Sequence, residues 1–290
     1  MRVADPAARS RALLRRAARA VATAAGSDVS VTVDGLRYVV DRTDGGPGEA
    51  LFTWRVLPEF ATVRRALDLL SEYGESPTGR VLVDVGANIG TTCLPAVARL
   101  GFARAIAIEP YARNVQVLRA NAGLNGLADR VMVVEAAASD TEGEATFAAG
   151  KPTTRGRRRS GAGTIRPDSS GDAVRVVTVD AELARRGLSA GDVGLLWADV
   201  QGHEAKVAFG ARSLLEAARP FVFAARTGKL EQSGDLARFA AHIEKSYAHV
   251  IDLRDAASNV QPASSLRDLL RPRGTTDILA FGRPAQRVSA

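Results

Sequence analysis

Short apolar runs separated by amphipathic segments make up most of this 290-residue chain. Such runs lie at Val81–Val85, Ala105–Ile108, Val131–Val134, Gly194–Ala198 and Phe221–Ala224. Their length and β-branched content are typical of strands that are buried on both faces. Because helical segments separate successive runs along much of the chain, the pattern predicts a mostly parallel, doubly wound α/β sheet.

The segments between these runs carry apolar residues at the spacing of amphipathic helices. Helices are predicted from Pro58 to Gly74, from Thr91 to Leu100, around Val115–Ala122 with an end at Asn125-Gly126, over 203–218 and over Leu236–Tyr247. Pro95 lies inside the second of these helices, where a proline predicts a kink or a later start. Strands at His249–Leu253 and Ile278–Phe281 complete the predicted sheet.

The first 79 residues form an extension ahead of the predicted sheet, and residues 80–290 are assigned to one catalytic domain. Residues 1–26 combine a thin apolar stripe with flanking arginines, which indicates a basic amphipathic helix. We favour docking of this helix on its own domain or on a second subunit of a homo-oligomer over binding to a membrane surface or nucleic acid. Val29–Val33 and Leu36–Asp41 alternate around Asp34-Gly35 and predict a β-hairpin.

The segment 141–170 departs from this pattern. It is rich in glycine and contains an arginine run, formed by Arg155, Arg157, Arg158 and Arg159. Long segments of this kind are either exposed loops or mobile covers of an active site. Both interpretations stay open, and both predict a flexible excursion from the main domain.

The composition suits a globular protein with a substantial core, since 46% of the residues are hydrophobic. No window reaches the roughly 18 uncharged apolar residues of a membrane-spanning helix. The arginine-rich start also lacks the apolar centre of a secretory signal. We therefore expect a cytoplasmic protein.

The net charge of +7 raises the question of an anionic partner. Nearly all of the positive charge is arginine, and alanine is very abundant, which together indicate a biased genome composition rather than a selected basic surface. Charge alone therefore does not predict nucleic-acid binding. The single cysteine, Cys93, excludes an internal disulfide, and its apolar helical setting predicts a core residue.

A glycine turn follows the first predicted strand of the sheet. Gly86 and Gly90 stand in the stretch RVLVDVGANIG, and Asp84 adds a carboxylate beside the turn. Glu109 ends the next strand. Because the carboxyl ends of parallel strands meet at one edge of a sheet, an acid at this place can accept both hydroxyl hydrogens of a ribose. The pattern therefore predicts a nucleoside site.

The spacing of the turn favours S-adenosylmethionine over a dinucleotide. GANIG lacks the third glycine of the GxGxxG pattern that cradles a pyrophosphate. The carboxylate of Asp84 would repel a pyrophosphate, whereas it suits the ammonium group of S-adenosylmethionine or the water around it. We therefore expect a methyl donor as the cofactor.

A second group of polar residues follows the fourth predicted strand, in the stretch Asp199-Val-Gln-Gly-His-Glu. Methyl transfer to oxygen needs a group that takes the proton of the acceptor hydroxyl, and Asp199 and His203 are the candidate bases, with Glu204 beside them. The structural alternatives are a helix cap for Asp199 and a helix-start residue for His203. No second acid follows the fifth strand, where Ala225 and Arg226 stand, so a metal site is not predicted.

Between Val81 and Ala225 the chain contains five blocks in this order: DVGANIG, EP, AAASDTEG, VVTVD and ADVQGHEAKVAFGA. Together they resemble the FkbM-type family of S-adenosylmethionine-dependent methyltransferases. The resemblance implies a Rossmann-like class I methyltransferase fold with a final antiparallel strand, and O-methylation of a sugar or another natural product. It also implies cofactor contacts at Asp84, Gly86, Asn88 and Glu109. Ala87, Gly90, Pro110 and Ala137 complete the predicted cofactor-binding residues, with Pro110 and the chain near Ala137 expected to flank the adenine.

Two positions depart from the family pattern. Gln201 and Ala225 stand where such proteins usually carry glutamate. These losses keep two alternatives open beside a small-molecule O-methyltransferase. One is a methyltransferase-like binding protein without turnover. The other is an RNA methyltransferase that uses the arginine run, although no recognisable RNA-binding module accompanies it.

Overall fold

A computed structural model describes residues 28–150, 159–166, 171–270 and 275–283. The strands in these ranges are β1 (Asp28–Val33), β2 (Leu36–Asp41), β3 (Val81–Val85), β4 (Arg104–Glu109), β5 (Val131–Glu135), β6 (Ala137–Ala138), β7 (Gly143–Gly150), β8 (Arg159–Arg166), β9 (Asp172–Val177), β10 (Val193–Ala198), β11 (Phe221–Arg226), β12 (His249–Asp252), β13 (Gln261–Pro262) and β14 (Thr275–Phe281). The predicted N-terminal helix of residues 1–26 lies outside the described residues.

The described α-helices lie mainly between the strands of the main sheet. They are α1 (Pro47–Glu49), α2 (Phe60–Glu72), α3 (Cys93–Arg99), α4 (Ala112–Leu124), α5 (Val179–Ala184), α6 (Glu204–Phe209), α7 (Arg212–Glu216), α8 (Thr227–Gln232), α9 (Leu236–Ser246) and α10 (Leu266–Leu269). A π-helix, Ala50–Trp54, continues α1. Helix α3 begins two residues before Pro95, so the later start predicted from this proline is confirmed.

The main sheet has eight strands in the order β13-β12-β14-β11-β10-β3-β4-β5. Strands β11, β10, β3, β4 and β5 pair in parallel, whereas β14 pairs antiparallel with both β11 and β12. The predicted Rossmann-like α/β fold with a final antiparallel strand is therefore confirmed.

Both faces of this sheet are covered, as the continuous apolar strands require. Val83 and Ile106 point into one core, which includes residues of α5, α6, α7 and α9. Leu82 and Trp197 point into the other core, which includes residues of α2, α3 and the N-terminal hairpin. The hairpin is thus part of the domain's second core rather than a separate unit.

The hairpin of β1 and β2 turns at Asp34 and Gly35, which both have positive φ as the predicted two-residue turn requires. Asn121 of α4 attaches this hairpin to the glycine turn. Its side-chain oxygen accepts from Val39 N at 2.6 Å, and its amide nitrogen donates to Ile89 O at 2.9 Å. The N-terminal extension therefore supports the loop at which a cofactor is predicted to bind.

The helix predicted over 203–218 is wrong as one element, because the structure has two short helices, α6 and α7, with Gly210 and Ala211 between them. The break occurs where another segment of the chain passes close by. A Cβ atom at Gly210 would lie 2.0 Å from the carbonyl oxygen of Ser139.

The segment 141–170, predicted as a flexible excursion, contains two described strands. Strands β7 and β8 form an antiparallel pair, and β9 joins the other edge of β7. Together with β6 they make a second sheet of order β6-β9-β7-β8. Residues 155–158 of the arginine run, and the side chain of Arg159, lie outside what the structure describes.

None of the helices in the described ranges is long and apolar enough to span a membrane.

Candidate active site

Two cavities lie at the carboxyl ends of the parallel strands, where open α/β sheets bind their ligands. The larger has a volume of about 360 Å³ and the smaller about 60 Å³. Both cavities are lined by Gly86, Asn88, Gly161, Asp199 and Gln201. Because they share these walls, the two cavities form one crevice with a wide and a narrow end.

The glycine turn after β3 forms the floor of this crevice. Gly86 has φ of +84°, and a Cβ atom there would lie 2.3 Å from the carbonyl oxygen of Asp199. Only glycine fits this approach of two backbones. Ala87 lines the wide end. Gly90 allows close packing of the turn on helix side chains, because a Cβ atom there would meet Leu118 and Leu94 at 2.5 and 2.8 Å.

Glu109 lies in the narrow end, at the end of β4, as predicted. Its Oε2 accepts from Asn88 N at 2.9 Å, and its Oε1 accepts from Tyr111 N at 3.0 Å and from Asn114 Nδ2 at 3.2 Å. Burial raises the pKa of this carboxyl to about 7, and the hydrogen bonds from Tyr111 and Asn88 lower it. Because each carboxylate oxygen has two acceptor sites, Oε1 is saturated and Oε2 retains one site for a hydroxyl group of a ligand.

Apolar residues surround the rest of the narrow end. Pro110 and Ala137, both predicted to flank an adenine, line it together with Phe147 of β7 and Ile165 of β8. The ring of Phe147 lies against Gly163, where a Cβ atom would meet it at 2.0 Å. The second sheet thus supplies one wall of the narrow end.

Asp84 is buried and is absent from the described residues that line the two cavities. Burial raises the pKa of its carboxyl to about 7, and the neighbouring Cys93, whose thiol and N–H favour the ionised form, lowers it. Contact of Asp84 with a cofactor stays a prediction. Cys93 is fully buried, as predicted.

Asp199 is the acid that lines both ends of the crevice. It is not a helix cap, since α6 begins at Glu204. Burial raises the pKa of Asp199, and the guanidinium of Arg226 is the largest influence that lowers it. The amide of Gln201 donates to Asp199 Oδ1 at 3.0 Å. The glutamine that departs from the family pattern thus holds the candidate base.

Two residues of the crevice have backbone conformations that are rare outside glycine. Asn88 has φ of +50° and Gln201 has φ of +60°, and both line the wide and the narrow end. Such strained conformations persist only where the surrounding structure enforces them, and they cluster at functional sites. Their position supports the assignment of this crevice as the active site.

His203 lines only the narrow end, beside the residues predicted to hold an adenine. Its Nε2 is 3.0 Å from Ser139 Oγ, which donates to Asp140 Oδ1. Burial lowers the pKa of His203, so its neutral form is favoured. The structure therefore separates the two candidate bases, with Asp199 alone of the pair reaching the wide end.

Glu204 lies beneath the loop that carries Asp199 and lines neither cavity. Its side chain is fully buried, and Oε1 accepts from Val200 N at 3.2 Å and from Gly202 N at 3.0 Å. Burial raises the pKa of Glu204 to about 7. These contacts are with the backbone, and a catalytic role of Glu204 stays a prediction.

Glu59 and Arg226 line the wide end and were not predicted from the sequence. Glu59 Oε2 and Arg226 Nε are buried and have no hydrogen-bond partner within the described structure. Burial, followed by the charge of Asp199, raises the pKa of Glu59 to about 8. The only sequence signal for Glu59 was its place directly after Pro58, at the start of a predicted helix. Within the described ranges, no three His, Cys, Asp or Glu side chains are grouped to hold a metal ion.

Comparison with solved structures finds methyltransferases over most of the chain. P. horikoshii TYW2 in complex with MeSAdo is 14% identical, with 96% of this chain and 86% of that chain covered and a TM-score of 0.41. M. jannaschii TYW2 in complex with AdoMet is 12% identical, with 90% and 88% covered and a TM-score of 0.40. Precorrin-6y C5,15-methyltransferase from Geobacter metallireducens is 14% identical, with 77% and 87% covered and a TM-score of 0.39.

No curated protein matches the sequence. The methyltransferase FkbM domain, however, matches residues 84–257, which is more than half of the chain. This range includes most of the crevice, from the glycine turn through Glu109 and Asp199 to Arg226. The chain therefore belongs to the FkbM family of S-adenosylmethionine-dependent methyltransferases.

Proposed function

We propose that this protein methylates a hydroxyl oxygen of a small polar acceptor, such as a sugar or another natural product. The observation that carries this proposal is the position of Asp199, which lines both the narrow end and the wide end of the crevice. A carboxylate at this junction can act on an acceptor in the wide end while the cofactor occupies the remainder of the crevice.

The residues of the crevice fit S-adenosylmethionine. Pro110, Ala137 and Phe147 suit the faces of an adenine, and the remaining acceptor site of Glu109 Oε2 suits a hydroxyl of a ribose. Bound there, S-adenosylmethionine supplies an electrophilic methyl group. Gly86 lines both ends, and its lack of a Cβ atom lets the turn lie directly against the backbone of Asp199.

The protein's own residues then handle the acceptor. Asp199 is placed to accept the proton that an acceptor hydroxyl must lose. Its pKa is raised toward neutral pH, as suits a general base. Gln201 orients this carboxylate through its hydrogen bond. Glu59 and Arg226 also line the wide end, and a carboxyl group and a guanidinium group suit hydrogen bonds to a polyhydroxylated acceptor.

His203 has a positioning role in this proposal. Its ring contacts Ser139 and lies at the narrow end, which favours orientation of the cofactor side of the crevice over proton transfer at the wide end. Glu204 holds the loop from Val200 to Gly202 through two backbone hydrogen bonds. Both residues would act through the shape of the loop that carries Asp199.

The alternative of a binding protein without turnover rests on Gln201 and Ala225. The amide at Gln201 bonds to the candidate base, and acids remain in the wide end at Glu59 and Asp199, which favours turnover.

Mass spectrometry tests the proposal. The purified chain is incubated with S-adenosylmethionine and a panel of glycosides and hydroxylated metabolites, and the expected result is a product heavier by one methyl group. D199N, which keeps the shape of the side chain, serves as the matched control. Binding of S-adenosylmethionine without any methylated product across the panel would favour the binding protein, and methylation of RNA alone would overturn the acceptor class.

A further inference from the structure

A third cavity, also about 360 Å³ in volume, lies at the amino ends of the parallel strands, opposite the crevice. Three arginines line it: Arg80, Arg219 and Arg283. Arg80 directly precedes β3, Arg219 stands two residues before β11, and Arg283 stands two residues after β14. No sequence pattern connects these three positions.

The topology of the sheet brings the three arginines together. The strands β14, β11, β10 and β3 are consecutive neighbours. Because β14 runs antiparallel to β11, its end meets the starts of the other three strands. Neighbouring strands are about 4.8 Å apart, so the four strands span roughly 14 Å, a distance that extended arginine side chains can bridge from both sides.

Positive charge exceeds negative charge around this cavity. Burial lowers the pKa of Arg219, as do the charges of Arg80 and Arg283, and Glu75 and Asp192 oppose this effect. Arg219 Nε is buried and has no hydrogen-bond partner in the described structure. A buried guanidinium N–H without an acceptor is unfavourable, so an anion in the cavity would stabilise it.

The surrounding acids offset this charge only in part, because two carboxyl groups, Glu75 and Asp192, oppose three guanidinium groups. Glu75 lines the cavity, and its Oε1 is already used to accept from Gly282 N at 3.1 Å. Arg80 donates through Nη1 to Gly191 O at 3.2 Å and keeps its remaining N–H donors. The guanidinium groups therefore offer donors that the surrounding carboxyl groups do not match.

The walls of the cavity are built from constrained backbone. Pro77 and Pro220 line it, and a Cβ atom at Gly194 would lie 2.5 Å from Pro77 O. Its volume lies within the range of small-molecule sites. These features are typical of a preformed pocket rather than a gap between mobile side chains.

We propose that this cavity is a second binding site, for a small molecule that carries a phosphate group. Arginine pairs with phosphate through two parallel hydrogen bonds, and a phosphate dianion balances several guanidinium groups where a single carboxylate does not. The five residues of β3 separate the cavity from Gly86 by roughly 16 Å. The site is therefore distinct from the crevice, and its existence does not depend on the acceptor that is methylated.

Isothermal titration of the full chain with inorganic phosphate, at constant ionic strength maintained with sodium chloride, tests this site. We expect saturable binding to the wild type. The affinity for phosphate should be at least about tenfold lower in R219Q and in R80Q, because each variant loses one charge-assisted contact. R64Q makes the same change of charge on the exposed face of α2 and should bind phosphate as the wild type does. Unchanged affinity for S-adenosylhomocysteine shows that each variant is folded.

Equal binding of phosphate by R219Q, R80Q and R64Q would mean an adventitious ion only and would overturn the proposal, as would the absence of saturable binding to the wild type. Two further titrations separate the sources of phosphate. Ribose 5-phosphate should bind at least as tightly as inorganic phosphate. If a short single-stranded RNA binds in a salt-dependent manner while both small phosphates fail, the cavity belongs to a nucleic-acid surface and the proposal is wrong.

Discussion

The carbonyl oxygen of Asp199 lies 2.3 Å from the position that a Cβ atom would occupy at Gly86. The backbone N–H of Asp199 also donates to Val85 O at 3.0 Å. The glycine turn and the loop that carries the candidate base are therefore in direct backbone contact. On the proposed function, we expect a change at one of them to alter the other, so that cofactor binding and the placement of the base are coupled.

G86A should disrupt both functions of this junction. The added Cβ atom overlaps the carbonyl of Asp199, and φ of +84° is unfavourable for alanine. We expect the affinity for S-adenosylhomocysteine to fall by about 100-fold or more, measured by isothermal titration. G123A is the control, since a Cβ atom at Gly123 meets nothing within 4 Å. Full affinity in G86A would show that the turn rearranges freely.

The affinity for the cofactor should depend on the protonation of Glu109. Its pKa is raised to about 7, and protonation removes acceptor capacity for the ribose hydroxyls, so the affinity for S-adenosylhomocysteine should decrease as the pH falls below 7. E109Q should bind about 10 to 100-fold more weakly at pH 8 and lose most of this pH dependence. E135Q changes the residue paired with Glu109 on the neighbouring strand and should retain the wild-type profile. A wild-type profile that is flat between pH 5.5 and 8.5 would contradict this role.

The two candidate bases should respond differently to substitution. D199N should reduce turnover of any acceptor found in the panel by about 10² to 10⁴-fold, the range of general-base catalysis, with little change in S-adenosylhomocysteine binding. H203A should mainly weaken cofactor binding, because His203 lines only the narrow end. The opposite result, with turnover lost in H203A and kept in D199N, would return the role of base to the histidine.

Glu204 should contribute to stability and loop geometry rather than to the chemical step. E204A leaves the N–H groups of Val200 and Gly202 without their acceptor, which costs about 1 to 3 kcal/mol. We expect a lower melting temperature and a weaker affinity for S-adenosylhomocysteine. E231A, at an exposed position of α8, should melt with the wild type. If E204A also melted at the temperature of the wild type, the structural role of Glu204 would be contradicted.

Glu59 should make the stability of the protein depend on pH. Its pKa rises from 4.5 to about 8 on folding, so the folded state holds this proton more tightly than the unfolded state. Stability from this group is fully present below pH 4.5 and is lost as the pH rises through 8. E59Q stays neutral, so its melting temperature should rise relative to that of the wild type between pH 5 and pH 8. A constant difference over this range would show that Glu59 ionises normally.

The sequence predicted most of the fold because its strands are short apolar runs whose length and β-branched content are typical of buried strands. The hairpin turn at Asp34-Gly35, the end of α4 at Asn125 and the later start of α3 were also predictable, since each depends on local residue chemistry. The break between α6 and α7 was not, because it results from the passage of Ser139 near Gly210 in the folded chain.

The sequence also predicted part of the candidate site. Positions at strand ends, among them Gly86, Glu109 and Asp199, line the crevice because parallel strands place their carboxyl ends together. Asp84 and Glu204 share this neighbourhood in sequence, but their side chains point into the protein interior. Sequence proximity does not specify the direction of a side chain at the end of a strand.

The sequence by itself determined the α/β class, the glycine turn and the family, because these depend on local pattern and motif order. Only the tertiary structure decided which carboxylates line the wide end of the crevice, that Glu59 joins Asp199 there from the N-terminal extension, and that Arg80, Arg219 and Arg283 surround one cavity. The physical reason is that these groups are distant in the chain. Strand order and chain packing bring them together, and no local pattern records that order.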